Sequence, residues 1–471
     1  MISQMAKRYQ ARGILPGSIP LSWFSALCLS ITVFGYSQAR ASGTNRFITQ
    51  PLSLADSLNL ALEQNPALRR ARKEIEAAQG VVIQTRAVVL PRLKLTGAYN
   101  ALQDSDVDKP PVNIPGFTFG TDQNWNTQIR VVQSIYEGGR MSSALRAGRL
   151  TEERAVLNYQ SAAADTVAAV QIAYYDALLG QHQIKVQEAS IELLSRELAD
   201  TRRRFEAGTV PRFNVLRAEV ELANAQPRLI RARNVYRIAK NNLANLLGFD
   251  VPHDADEDIP LNLSDRLQAE PYGLEMSSAL RLALERRPEL GALRKTEALS
   301  SEDIVTARSG SKPTFQAYAG YDAHSSIFRS DLTSELNGWI AGVQLNWDIF
   351  DGLRTQGRVK EATARKEQAG IELEDAGRRI ELEVRTAFSN FREAEEVMKS
   401  QEKVVEQADE ALRLAASRSE AGAATQLDVL SAQTALTEAR TTQIQALHDY
   451  AVARARLERA VGANVVKEKA K

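Results

Sequence analysis

The chain states one plan twice. The segment Leu58-Asn59-Leu60-Ala61-Leu62-Glu63-Gln64-Asn65-Pro66 returns 222 residues later as Leu280-Arg281-Leu282-Ala283-Leu284-Glu285-Arg286-Arg287-Pro288. The same offset carries Pro91 to Pro313 and Tyr99 to Tyr321. From Trp125 and Trp339 onward the offset is 214. It holds for Ile135-Tyr136-Glu137-Gly138 and Ile349-Phe350-Asp351-Gly352, for Arg140 and Arg354, and for Gly208 and Gly422. It still holds where Phe213-Asn214-Val215-Leu216 answers Leu427-Asp428-Val429-Leu430. A register kept over about 90 residues is the signature of a duplicated architecture. The eight-residue change lies between Tyr99 and Trp125 and marks a loop of variable length. The repeats are predicted at 42–250 and 275–462, with a linker at 251–274 and a tail at 463–471.

Each repeat runs through the same periods. A short helix comes first, and a second starts at Pro66 or Pro288, where the missing amide proton is not needed. Then comes alternation. Trp339, Ala341, Val343, Leu345, Trp347 and Ile349 share one face, and Gly342, Gln344, Asn346 and Asp348 share the other. Period two with one apolar face predicts strands, and hairpins are placed at 91–136 and 313–350. Next come long stretches rich in Ala, Glu, Arg, Leu and Gln that contain no proline. They predict helices at 140–206 and 355–421, followed by 211–247 and 424–461. About 65 helical residues reach roughly 100 Å. A helix that long needs a partner along its length, so coiled-coil packing is expected.

The first 41 residues read as an export signal. Lys7, Arg8 and Arg12 precede an apolar stretch from Leu21 to Phe34, and Ala39-Arg40-Ala41 is a small-x-small cleavage site. Cleavage there removes four basic residues and no acidic one, turning the +1 of the whole chain into −3. It also removes Cys28, the only cysteine. So balanced a charge does not ask for nucleic acid. No later apolar run could span a bilayer as a helix.

Four short strands cannot close a barrel, and an open sheet in hydrocarbon leaves costly unpaired backbone groups. Strands apolar on one side and polar on the other are what a membrane barrel uses. Closure by sister chains satisfies both facts; three chains giving twelve strands is the preferred count, although the strand pattern by itself does not choose three. The polar face then lines a wet lumen. Tyr99, Trp125, Tyr321, Trp339 and Trp347 are expected near the membrane interfaces.

The Leu-Ala-Leu-Glu-x-x-Pro segments, Leu90-Pro91-Arg92-Leu93, Ile135-Tyr136-Glu137-Gly138-Gly139-Arg140, Phe350-Asp351-Gly352 and the Ala-Gly…Val-Leu turns at 207–216 and 421–430 resemble the TolC-like outer-membrane efflux proteins. The resemblance covers nearly the whole mature chain. It implies a helix-dominated homotrimer: a 12-stranded barrel in the outer membrane of a Gram-negative-type bacterium, continued by a coiled-coil tunnel through the periplasm. It implies an exit duct for an efflux or type I secretion pump. The partners would be a periplasmic adaptor, an inner-membrane pump driven by protons or ATP, and membrane lipid.

By the same resemblance, the helix tips touch the adaptor: Gly208, Thr209, Val210 and Pro211 in one repeat, Gly422, Ala423 and Ala424 in the other. Both glycines are expected to end a helix in the left-handed conformation. Asp428 matches a carboxylate that rings the constriction in similar proteins, and Ser431 stands where a second Asp is found. A plain helix-start role is the competing reading of Asp428. Gly138, Gly139, Arg140, Asp351, Gly352 and Arg354 are placed where strand becomes helix. The scattered His182, His253, His324 and His448 show no ligand spacing, so no metal or cofactor is expected, and no catalytic constellation is present. A periplasmic coiled-coil adaptor is the rival reading, but it leaves two Trp-flanked amphipathic hairpins unexplained.

Overall fold

The computed structural model describes residues 51–103, 122–249, 259–268, 270–326, 332 and 335–463. The expected export signal and most of the tail lie outside these residues.

The duplication is visible element by element. Helices α1 (Leu54–Gln64) and α2 (Pro66–Arg86) precede strands β1 (Arg92–Ala101) and β2 (Gln123–Glu137). Helices α3 (Arg140–Glu206) and α4 (Arg212–Leu247) complete the first repeat. The second repeat gives α5 (Met276–Arg286), α6 (Pro288–Arg308), β3 (Thr314–Ser325), β4 (Glu335–Asn346), α7 (Arg354–Glu420) and α8 (Gln426–Val461). Helices α3 and α7 both contain 67 residues, about 100 Å of rise.

The starts and stops follow local chemistry. Ser53 and Asp56 form a capping box at α1. Asn65 Oδ1 accepts the Ala67 amide at 2.8 Å to start α2, with Pro66 in the first turn. Gly248 and Gly462, which are equivalent, end α4 and α8 with positive φ.

The four strands form one antiparallel sheet in the order β1-β2-β3-β4. The central pair joins the two repeats, and neither β1 nor β4 has a second neighbour among the described residues. Strand β4 stops at Asn346, so Trp347 and Ile349 are not in the sheet as the alternation suggested. The partner strand begins only at Thr314, after Pro313, which has no amide to donate. Trp347 turns aside and its Nε1 donates to the Ser311 carbonyl at 3.1 Å.

Helix α3 lies in the middle of a helical wall. Toward the sheet it meets α2 and α6, and toward the far tip it meets α4 and α8. Helix α7 meets α6 and α8, which lie between it and α3, and at mid-height it also meets α5. Two cores sit at mid-height, one per repeat. Tyr174, Leu178, Leu243 and Leu247 centre the first, closed by Leu261, Leu263 and Leu267 of the linker. Val384, Phe391, Tyr450 and Leu457 centre the second. Both anchor the chain around them: Tyr174 Oη donates to the Leu52 carbonyl at 2.9 Å and Tyr450 Oη to the Glu270 carbonyl at 2.7 Å. Many remaining contacts are alanine. Gly180 shows how tight they are, since a Cβ there would lie 2.9 Å from Tyr236 Cα.

Candidate functional site

Strand pairing sets one continuous apolar row across the sheet. Leu95 faces Ile129, Ile129 faces Tyr321, and Tyr321 faces Trp339. One step away, Leu93, Val131, Ala319 and Ala341 make a second row. These side chains are uncovered: Leu93 and Leu95 are 70% exposed, Val343 68% and Trp339 81%. Such a surface is unfavourable in water and suited to hydrocarbon. Among the described residues, no helix is long and apolar enough to cross a membrane.

The other face carries Lys94, Thr96, Gln128, Arg130, Gln316, Tyr318 and Gln344. The Arg130 guanidinium lies 4.8 Å from the Tyr318 ring centre. Gly342 leaves room for that tyrosine, because a Cβ there would stand 2.7 Å from its hydroxyl. Of the expected interface aromatics, Tyr99 pairs with Trp125 and Tyr321 with Trp339 across adjacent strands. Trp125 Nε1 donates to the Leu332 carbonyl at 3.1 Å.

The strand-to-helix junctions use left-handed turns. Gly138 and Gly139 have φ of 64° and 99°, and Gly352 and Leu353 have 66° and 68°. Leu353 is the one non-glycine residue with positive φ among those described. Arg140 Nε and Nη2 donate to Glu137 Oε2 at 2.8 and 2.6 Å, and Glu137 is buried. Arg354 makes a looser, exposed pair with Asp348 at 3.3 Å. Asp351 Oδ2 accepts the Thr355 amide at 2.8 Å.

At the far tips, Gly208 and Gly422 take φ of 74° and 71°, as helix-ending glycines should. The next helix starts after Pro211 in one repeat and after Thr425 in the other. Asp428 sits three residues into α8 as half of a capping box. Its Oδ2 accepts the Thr425 amide at 2.8 Å and the Thr425 hydroxyl at 2.7 Å. These hydrogen bonds from the Thr425 hydroxyl and amide hold its carboxyl below the usual carboxylate range. The helix-start reading therefore describes its local geometry. Ser431 lies one turn on, and both are exposed.

Two clusters were not legible from spacing. His448 of α8 is buried between carboxylates, with Nε2 2.7 Å from Asp176 Oδ1 of α3 and Nδ1 2.9 Å from Asp449 Oδ1. Burial pushes the imidazole pKa down, but the hydrogen bonds to Asp176 and Asp449 outweigh it and the net shift is upward. About 16 Å further along α8, Arg459 joins Asp165 to Glu289, and the buried Arg287 joins Glu289 to Glu383. This chain of charges ties α3, α8, α6 and α7 together. The repeat offsets carry the only sequence signal: position 234, equivalent to His448, is Asn, and position 65, equivalent to Arg287, is Asn.

The sequence model of the family described as "Outer membrane efflux protein" matches residues 57–249 and 279–463. The alkaline protease secretion protein AprF of Pseudomonas aeruginosa is 27% identical, over 86% of this chain and 83% of that protein. The outer membrane protein TolC of Vibrio cholerae is 24% identical, over 87% and 90%. Among solved structures, the Campylobacter jejuni CmeC outer membrane channel superposes with a TM-score of 0.74 at 15% identity, covering 88% of this chain and 86% of that one.

Proposed function

Because this chain belongs to the outer membrane efflux protein family, we propose that it is one subunit of an outer-membrane exit duct, serving a tripartite efflux or type I secretion assembly. One observation carries the reading. A four-stranded sheet with two free edges and an uncovered apolar face stands on helices about 100 Å long. Hydrocarbon accepts the apolar face only if the edges are paired, and only other copies supply matching edges. Three copies make a twelve-stranded barrel with the polar face around the lumen. The helices continue the tube into the periplasm.

The tips at 208–211 and 422–424 are the proposed docking points for a periplasmic adaptor, which connects to an inner-membrane pump. They are exposed ends of the stem and their backbone is fixed by Gly208 and Gly422. Asp428 is proposed to contribute to a cation-attracting ring at the tip constriction. Its capping role keeps the carboxylate charged and fixed in direction, and three ionised copies around an axis favour cations.

The test is conductance of purified protein in a planar bilayer. Small, cation-preferring single-channel currents are expected. Correctly inserted protein that never conducts would end the duct reading. Asp428→Asn should lower cation preference and divalent block; unchanged values would remove Asp428 from the constriction but leave the duct intact.

A further inference from the structure

The polar face of the sheet carries a cluster of cations in only one of its two hairpins. Strand pairing sets Lys94 of β1 directly opposite Arg130 of β2, and Arg92 stands two residues from Lys94 on the same face. Same-face neighbours lie about 7 Å apart along a strand and about 5 Å apart across a pair, so the three cations form one cluster. The second hairpin repeats the geometry without the charge. Its equivalent facing pair is Gln316 and Gln344, and Thr314 answers Arg92. The duplicated plan asks only for polar residues at these places, and the cations are an addition to the first hairpin.

The described residues leave this cluster largely uncompensated. Like charges directly opposite each other destabilise a strand pair. Lys94 and Arg130 have no ion pair among the described residues. Arg130 rests its guanidinium on the Tyr318 ring, and its Nε is buried with no hydrogen-bond partner among the described residues. Arg92 acts on Glu137, but that carboxylate is already bonded twice by Arg140. Asp322, one row nearer the hairpin ends, lies 3.5 Å from His324 instead. The neighbouring strands leave space for the cations. Gly320 stands beside Arg130 in its row, Gly342 stands beside Tyr318, and Arg92 and Lys94 are exposed.

Three copies closed edge to edge bring three such clusters to one level of the bore. A passage lined by one sign of charge between low-dielectric walls concentrates counter-ions. The spacings within a cluster are below the Debye length of about 10 Å at 0.1 M salt, so its charges act together. The two guanidinium groups add forked donors, which match the oxygens of phosphate groups.

We propose that Arg92, Lys94 and Arg130 form a girdle inside the barrel that binds multivalent oxyanions. The inference rests on the closed barrel of the proposed duct and adds a charge station opposite in sign to the Asp428 tip. The two stations act at opposite ends of the tube. The tip favours cations on entry, and an anionic group on a cargo that has passed it is drawn forward into the barrel.

Block of single-channel current by tripolyphosphate tests the girdle, first at about 0.1 M KCl. The long stem cannot cross the bilayer, so protein added on one side opens its barrel mouth to the other. Tripolyphosphate on the mouth side should block wild type at a concentration roughly tenfold below that needed for Lys94→Gln/Arg130→Gln, which copies the second hairpin into the first. At 1 M KCl the difference should fall below about threefold. Gln316→Lys/Gln344→Arg, which copies the first hairpin into the second, should block at a concentration roughly threefold lower than wild type. Circular dichroism shows whether each variant folds, and the variant with added charge decides the matter if the one with removed charge does not insert. Equal block of wild type and variants, in channels that conduct, overturns the girdle and leaves the duct standing. Inserted protein that never conducts overturns the duct and the girdle with it.

Discussion

Helices α3 and α7 have equal length and equivalent places in their repeats, yet sixteen residues of α3 are buried and only five of α7. The cores at mid-height are matched, for Val170 and Val384 are equivalent and both fully buried. Even at that level the helices part. Leu178 is 1% exposed in α3, and its equivalent in α7 is the exposed Arg392. The difference comes from neighbours, not from helix-forming tendency. Helix α3 is flanked on both sides of the wall, and α7 is flanked on one. A duplicated chain that forms an open wall must end in two unlike edges, and α7 is one of them. In the closed assembly proposed above, that uncovered side is left for a sister chain.

Substitutions can sharpen this comparison. The largest effect is expected at Leu178. Leu178→Ala should destabilise the protomer by about 2–5 kcal/mol in thermal unfolding followed by circular dichroism. Arg392→Ala, at the same repeat position, should cost within about 0.5 kcal/mol, since it is an exposed site. Equal losses would deny the distinction between inner and edge helix.

The contact between repeats should respond to pH through His448. Its pKa is raised in the folded chain, so its contribution is fully present below the unfolded value of about 6.5 and is lost as pH rises through the folded value. The neutral ring can donate to only one of its two carboxylates. The loss is about 1.5 kcal/mol, the low end for a charge-assisted hydrogen bond, because both carboxylates are about half exposed. His448→Asn, which copies the first-repeat residue, should remove that pH dependence from the melting temperature. A pH dependence that survives would place it elsewhere.

The junctions differ next. Gly139 and Leu353 are equivalent and both left-handed, but only glycine avoids the Cβ clash. Leu353→Gly should raise stability by about 1 kcal/mol, and Gly139→Leu should lower it by about 1–2 kcal/mol, both read from melting. The tips differ least. Thr425→Ala removes the capping box and should cost about 1 kcal/mol. At the first tip no side chain caps α4, so Asn214→Ala should change stability by only a few tenths. A cost at Asn214 equal to that at Thr425 would show the two tips to be held alike.

Much of this was legible in the chain because it is local. Ala-rich stretches mark the long helices, although α4 keeps Pro227 inside it. Gly208 and Gly422 marked their ends, and alternation showed which strand face is apolar. The overreach at Trp347 has a nonlocal cause: its own alternation continued, but the neighbouring strand had not begun. Asp428 carried two readings because a helix start and a ring of charge want the same residue type. Only the hydrogen bonds to Thr425 reveal its local task.

The sequence alone determined the duplication, the lengths of the elements and the period of each, because offsets and periodicities are properties of neighbouring residues. Tertiary structure decided that α3 is central and α7 an edge, and that His448 meets Asp176 across 272 residues of chain. Contacts of that kind depend on the packing of whole helices, and no spacing within one segment encodes which distant helix comes to lie beside it.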